Sequence, residues 1–380
     1  MIRRYEGEDL GASPRIAVVG SDKLGNFIVT TPLLRGLKER FPDALIDFYG
    51  SPVNRAFEEA CPWIDWRTDV FPPSPERAQE AVAGVASRTD DHGYDLAINC
   101  DGFNPYTTEL VTRLASRYVA GSALSEDLSG PLPLGAHPNN RILAEPDWTT
   151  PDFLERYGDH LTSNYIGELF ARMAFVETDY FAISLESASP PFQVPDVLVH
   201  ANANRTAKLW PAASWTGVLD WCTGRGLSVG LIGVLPKPGQ EDSIGYPIED
   251  ELSRHEAVID LRGKTTPIQL AGALEAARAC VTVDSGPLHV AAAVGCPTIA
   301  VFGNDADGIG ASPLQLWLPR VGHVVRAVSR NRCALCLENR FKNDGCLRAS
   351  HDCVLGVSAE SVIDLLAASL EEMGPSVPRV

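Results

Sequence analysis

Nowhere in the chain do apolar residues run uninterrupted for the roughly 18 positions that a bilayer-spanning helix needs. The opening residues, Met1-Ile2-Arg3-Arg4-Tyr5-Glu6-Gly7-Glu8, turn acidic at once and lack the apolar core of a signal peptide. A cytoplasmic protein with no transmembrane segment is expected. Basic charge is also scarce: Lys and Arg total 32 against 49 Asp and Glu, a net charge of -17. Such a chain repels nucleic acid and anionic membrane surfaces at long range, so neither is an expected partner. A nucleotide is not excluded, because one phosphate needs only a local nest of N–H groups and a cation. A secretory segment being absent, the nine cysteines argue against a disulfide framework. Cys61, Cys100, Cys222, Cys280 and Cys296 sit singly in apolar surroundings and read as small buried hydrophobes.

What is present is ample core material, 45% hydrophobic residues over 380 positions, enough for two domains. Arg15 to Gly20 is a short β-branched strand, followed by the polar turn Ser21-Asp22-Lys23-Leu24-Gly25-Asn26. Phe27 to Phe41 has helical spacing and a basic last turn, and Ala44 to Tyr49 is the next strand. That sequence of elements is a parallel βαβ unit. A strand at Asp95–Cys100 ends at Asp101, and a helix is expected over Glu109–Arg117. Gly121 to Pro151 reads as irregular loop and Leu161 to Val176 as a long helix. Three prolines make Ser187–Pro195 the expected linker, dividing residues 1–190 from 191–380. The alternation then restarts: strands at Val197–His200, Leu227–Ile232, Ala257–Leu261, Cys280–Val283 and Thr298–Phe302, with helices at Ala212–Thr223, Pro267–Ala279, Pro287–Val294 and Ala359–Glu372. Open parallel sheets bind ligands outside the carboxyl ends of their strands. That organisation alone suits dehydrogenases, epimerases, binding proteins and glycosyltransferases equally.

The sharpest local feature is Val283-Asp284-Ser285-Gly286-Pro287-Leu288-His289, running from a strand end into a helix with Pro at its start. N–H groups around Ser285, Gly286 and Leu288 would be free donors at a positive dipole end, suited to a diphosphate, with His289 in reach. The competing reading has Asp284 or Ser285 capping the helix and His289 satisfied in the core.

This segment resembles the D-[ST]-G-x-x-H-x-A-A-A block of glycosyltransferase family 9, the bacterial heptosyltransferases. Three further segments are similar in order: Leu24-Gly25-Asn26 through Thr31-Pro32-Leu33-Leu34, His200-Ala201-Asn202-Ala203 with Lys208-Leu209-Trp210-Pro211, and Leu261-Arg262-Gly263-Lys264-Thr265. The resemblance implies an α/β fold of the GT-B kind, two Rossmann-like doubly wound parallel-sheet domains facing a central cleft. Residues 1–190 would bind the acceptor and 191–380 the nucleotide-sugar donor. It implies an inverting transfer of heptose or a related sugar from an ADP-linked donor to a hydroxyl acceptor on a small molecule, a protein or a glycolipid. Asp284, Ser285, Gly286, Pro287, Leu288, His289 and Gly25 would contact the donor. Lys208 would pair with its diphosphate, so that no catalytic metal is expected. Trp210 reads as core. A sugar-nucleotide epimerase and a non-catalytic sugar-nucleotide-binding scaffold subunit are the alternatives, and self-association is left open.

The chain departs from the family pattern where the usual L-G-D aspartate, its candidate general base, is Asn26. An amide can orient a hydroxyl but cannot take its proton. Asp22 in the same loop and Asp101 at a rigid strand end are the substitutes, with Asp101 favoured. A turn or capping role for Asp101 is the competing view.

Cys333, Cys336, Cys346 and Cys353 form a C-x₂-C-x₉-C-x₆-C cluster within a segment of about 331–355 that has little apolar content. Four thiols so close together in a cytoplasmic chain read as a structural zinc or iron site. His351 could replace one thiol.

Overall fold

The structure, a computed structural model, describes residues 2–71, 85, 88, 93–236 and 244–372. The chain forms two compact units, Met1–Ser184 and Leu185–Val380. The proline-rich stretch 187–195 lies just inside the second.

Each unit is built on one six-stranded sheet whose paired strands are all parallel. In the first unit the strands are β1 (Arg3–Arg4), β2 (Arg15–Val19), β3 (Leu45–Gly50), β4 (Trp66–Asp69), β5 (Tyr94–Asn99) and β6 (Ser116–Ala120). Their order is β1-β6-β5-β2-β3-β4. In the second they are β7 (Val197–His200), β8 (Val229–Leu231), β9 (Val258–Asp260), β10 (Ala279–Val283), β11 (Thr298–Phe302) and β12 (Val324–Val328), in the order β12-β11-β10-β7-β8-β9. The second is the doubly wound order of dinucleotide-binding folds, in which the winding reverses beside the first strand; β2 to β6 of the first unit repeat five strands of it, with β1 added outside β6. The reversal falls between β2 and β5 in one unit and between β7 and β10 in the other. The chain therefore carries the expected α/β class.

Central strands form where β-branched and apolar residues can be buried on both faces. Ile16 to Val19, Val197 to Val199 and Ala279 to Val283 are all fully or almost fully buried. Apart from β6, which lies between β1 and β5, the strands absent from the sequence reading lie at the rims. Trp66-Arg67-Thr68-Asp69 of β4 is only half-buried along its length, β1 has two arginines, and β12 is interrupted by exposed Arg326. A helix at Tyr246–Ser253 was likewise unexpected; it begins after Gly245, whose φ of +78° opens the turn.

Three expectations need correction. The helix placed at Glu109–Arg117 runs from Pro105 to Arg113, started by Pro105 and by the Asn104 side chain, which accepts the Tyr106 N–H. Ala115 then takes a left-handed φ of +50°, and Ser116–Ala120 becomes strand β6. The helix placed at Leu161–Val176 spans only Ile166–Met173. Glu168 binds the Thr162 N–H at 2.7 Å, the Thr162 hydroxyl at 2.8 Å and the Ser163 hydroxyl at 2.7 Å, which fixes the preceding residues as a loop. Within Gly121–Pro151 there is a short helix, Pro138–Arg141, a 3₁₀ turn, Ile142–Ala144, and an antiparallel bridge between Leu124 and Pro131. Among the described residues no helix is long and apolar enough to cross a membrane.

Ala115, like Leu128 and Phe175 of the first unit, is strained, because a left-handed L-residue crowds its Cβ against the backbone. Ala115→Gly is expected to raise stability by about 0.5 kcal/mol, the relieved strain outweighing the added flexibility of the unfolded chain. Chemical denaturation would read it as a higher midpoint at unchanged slope.

Candidate functional site

In the second unit the loops leaving β7 and β10 bring the donor candidates together. After His200 the chain crosses to a single 3₁₀ turn, Thr206–Lys208, then Pro211 leads into the helix Ala212–Gly224. Trp210 is core: it is fully buried, packs on Trp215 with ring centroids 5.0 Å apart, and donates from Nε1 to the Val357 carbonyl at 2.8 Å. That anchor fixes the chain two residues from Lys208. The Lys208 ammonium lies 2.7 Å from Asp284 Oδ2, with 10% and 12% of the two side chains exposed. Burial pushes the Asp284 carboxyl up, but Lys208, with help from His289 and Ser312, more than offsets it and holds the pKa below the ordinary value.

The helix Gly286–Ala293 starts two residues later, and no side chain caps it. Asp284 is bound to Lys208, while the Ser285 hydroxyl lies 3.0 Å from His200 Nδ1 and 3.2 Å from the Val283 carbonyl. The capping role weighed for these two residues is therefore not what they do. One expected free donor is also corrected: the Leu288 N–H reaches the Ser285 carbonyl at 3.2 Å, and its side chain packs with Ala300, Phe302 and Leu314. His289 is 6% exposed and its Nδ1 has no hydrogen-bond partner, so it is not a satisfied core histidine. Burial pushes its pKa down to about 4 against the pull of Asp284, so the ring is neutral at physiological pH. Burial does the same to His200, also to about 4.

Beside this cluster lies a buried ionic group that the sequence reading did not single out. Glu249, fully buried, accepts from Asn202 Nδ2 at 3.1 Å, and burial pushes its pKa up to about 7. Arg262 forms a two-pronged contact with Asp260 at 2.9 and 2.8 Å. Gly233 makes room for the group: its φ is +146°, and a Cβ there would stand 3.0 Å from Glu249 Oε1. The signal in sequence was slight, an acid in the first turn of a helix that itself had not been recognised.

In the first unit the matching position holds carboxylates. Lys23 begins the helix Leu24–Arg40, which places Gly25 and Asn26 in its first turn. Asn26 Nδ2 donates to the Ser21 hydroxyl at 3.0 Å, and fully buried Asn54 donates to the Ser21 and Lys23 carbonyls at 3.1 and 3.3 Å. Asp101 follows β5; its N–H donates to Asn99 Oδ1 at 3.0 Å, and its Oδ2 accepts from Asn104 Nδ2 at 3.0 Å. Burial raises the Asp101 pKa, Asn104 and Lys23 lower it, and Asp22 raises it further. Asp22, Lys23 and Asp101 are thus electrostatic neighbours.

The four clustered cysteines carry free thiols; Cys336 and Cys353 are buried and Cys333 and Cys346 half-buried. With His351 they line one small cavity. Burial and the three neighbouring thiols push Cys353 up to about 11. N–H groups point at the sulfurs: Asn343 Nδ2 at 3.2 Å from Cys336 and the Arg348 N–H at 3.3 Å from Cys346. Among the described residues no group of three or more His, Cys, Asp and Glu side chains has the spacing to hold a metal ion. His351, weighed as a replacement ligand, donates from Nε2 to the Ala207 carbonyl at 3.0 Å.

Comparison with known proteins places this arrangement. The sequence model of Glycosyltransferase family 9 (heptosyltransferase) matches residues 172–333. Lipopolysaccharide heptosyltransferase 3 of Escherichia coli is 23% identical over 300 residues, covering 73% of this chain and 80% of that one. A family 9 glycosyltransferase from Veillonella parvula superposes with a TM-score of 0.67 at 19% identity, covering 94% and 97% of the two chains. The dodecameric iron-containing heptosyltransferase TibC of enterotoxigenic E. coli, in complex with ADP-D-β-D-heptose, superposes at 0.61 with 15% identity, covering 98% and 84%. The two structures share the fold, the paired parallel sheets of GT-B enzymes. The family model and the curated heptosyltransferases support assigning the chain to glycosyltransferase family 9 and to the glycosyltransferases.

Proposed function

We propose that the protein transfers heptose or a related sugar, with inversion, from an ADP-linked donor to a hydroxyl acceptor, the second unit binding the donor and the first the acceptor. The carrying observation is the Lys208–Asp284 pair beside an uncapped helix start and the unpartnered Nδ1 of His289. An ammonium, the N–H of Gly286 at the helix start and a neutral imidazole lie together there, which suits a diphosphate. In the transfer the acceptor oxygen bonds to the anomeric carbon as the bond from that carbon to the β-phosphate oxygen breaks. The electron pair leaves on the phosphate, where Lys208 neutralises it, and the acceptor proton passes to a carboxylate. Asp101 is the base this reading favours, because its raised pKa makes it more basic than an ordinary aspartate and its strand-end position is rigid. Asp22 raises that pKa, and Asn26 braces the loop through Ser21. The heptosyltransferase names of the relatives support an ADP-heptose donor.

We also read the 331–355 segment as a structural zinc or iron site with Cys333, Cys336, Cys346 and Cys353 as ligands. The shared cavity and the N–H groups aimed at two of the sulfurs support it, as does the description of TibC as iron-containing. Such an ion would supply cross-links to a segment with little core of its own.

Calorimetric titration tests the donor site. ADP should bind in preference to UDP and GDP, and Lys208→Ala should weaken it about 10- to 100-fold, the worth of a charged hydrogen bond. Preference for UDP or GDP would overturn the donor assignment.

The pH profile of kcat/KM tests the base. A base must be deprotonated, so activity should fall with pH through the raised Asp101 pKa, above the usual aspartate range. Asp101→Asn should cost about 10²- to 10⁴-fold and abolish the limb; an unchanged limb would exclude Asp101.

Elemental analysis should find zinc or iron in stoichiometric amount, and Cys346→Ser should lower both metal content and melting temperature. Metal-free protein with a wild-type melting temperature would reject the site.

A further inference from the structure

The cysteine-bearing segment grips the turn that carries Lys208. Asp344 makes three of the bonds: its carboxylate accepts from the Thr206 hydroxyl at 2.9 Å and the Thr206 N–H at 3.4 Å, and its carbonyl accepts from the Ala207 N–H at 2.9 Å. His351 donates to the Ala207 carbonyl at 3.0 Å from a backbone held at a left-handed φ of +45°. In the other direction Arg205 donates to the Asn343 carbonyl at 2.6 Å, with a longer contact of 3.8 Å to Cys336 Sγ. Gly345 lies against the same turn, where a Cβ would come within 3.3 Å of the Thr206 hydroxyl.

Thr206–Lys208 is one 3₁₀ turn of three residues, and a helix this short does not hold its own shape in water. Its downstream side is pinned by Trp210 on Val357. Its upstream side depends on Asp344, His351 and Arg205. We infer that Asp344, with His351 and Arg205, is a positioning residue that fixes the Lys208 ammonium where the donor's leaving phosphate arrives, so that the cysteine segment is a brace for the donor site. The inference rests on the donor reading above. It follows from the bonding pattern whichever metal the thiols hold, because every bond named runs between groups of this chain.

The experiment compares ADP with AMP, which lacks the leaving phosphate, on protein whose metal content and melting temperature are measured in the same samples. Asp344→Asn and Thr206→Val each weaken the brace while leaving Lys208 and Asp284 intact. Each is expected to weaken ADP about tenfold, the worth of one charge-assisted hydrogen bond, with AMP unchanged. Thr206→Ser, which keeps the hydroxyl, should bind ADP like wild type. The double variant should lose less than the sum of the two single losses, because both act on the contact between the Thr206 hydroxyl and Asp344. Wild-type ADP affinity in Asp344→Asn, alongside a loss in Lys208→Ala, would overturn the inference and leave the donor reading standing. So would parallel losses of ADP and AMP affinity, or losses that track metal content or melting temperature. Normal ADP binding by Lys208→Ala would remove the donor reading and this inference with it.

Discussion

An ammonium nine-tenths removed from water needs a counter-charge, and the second unit is arranged around supplying one to Lys208. Asp284 does so at 2.7 Å. The pair could have been a closed structural salt bridge, but its surroundings leave it open. Neither Asp284 nor Ser285 spends its side chain on capping the helix that follows, so the positive end of that helix stays available to a further anion. His289 sits in the field of both partners yet is neutral and keeps one ring nitrogen unbonded. Under the proposed donor reading, a diphosphate would meet the ammonium, the helix start and the neutral imidazole as hydrogen-bond donors beside that one carboxylate.

The first unit shares five strands of that order, β6-β5-β2-β3-β4, and has a different charge at the same topological position. Where the loop after β10 holds Asp284 against a lysine, the loop after β5 holds Asp101 near another carboxylate, Asp22, with Lys23 giving only partial relief. Burial pushes both acids up, but they end on opposite sides of the usual value: Asp284 below it because a cation is bonded to it, Asp101 above it because none is. A doubly wound sheet provides a place for ligands, and the residues at its strand ends decide the chemistry.

The sequence made the buried parts of this plan legible and hid the parts that depend on partial exposure or distant contacts. β2, β3, β5, β7, β10 and β11 stood out because strands covered on both faces are almost continuously apolar. β1, β4 and β12 are rim strands with arginine or aspartate among their residues, and alternation there is weak. The helix read over Glu109–Arg117 failed at Ala115, where a left-handed turn is made without the glycine or asparagine that would announce it. Lys208, Asp284 and His289 were found because each belongs to a compact motif. Their support was not: His200 meets Ser285, Asn202 meets Glu249 and Thr206 meets Asp344 across 85, 47 and 138 positions of sequence. Pairings that long are set by sheet order, which local spacing does not contain.

Asn26 is where sequence and structure bear on one another most directly. Read as a motif, it is a missing base. In place, its amide donates to the Ser21 hydroxyl, which also receives the Lys23 N–H at 3.4 Å, so the residue ties the first turn of the helix to the loop before it. A carboxylate at 26 could not donate that bond when ionised. It would also put a further negative charge on the loop that bears Asp22, whose field already raises Asp101. Two or more acids sharing one site compete for ionisation, and some are left protonated and useless as bases near neutrality. With an amide at 26 the loop is braced without that charge, and the proposed base at Asp101 is tuned by burial and by a single carboxylate neighbour.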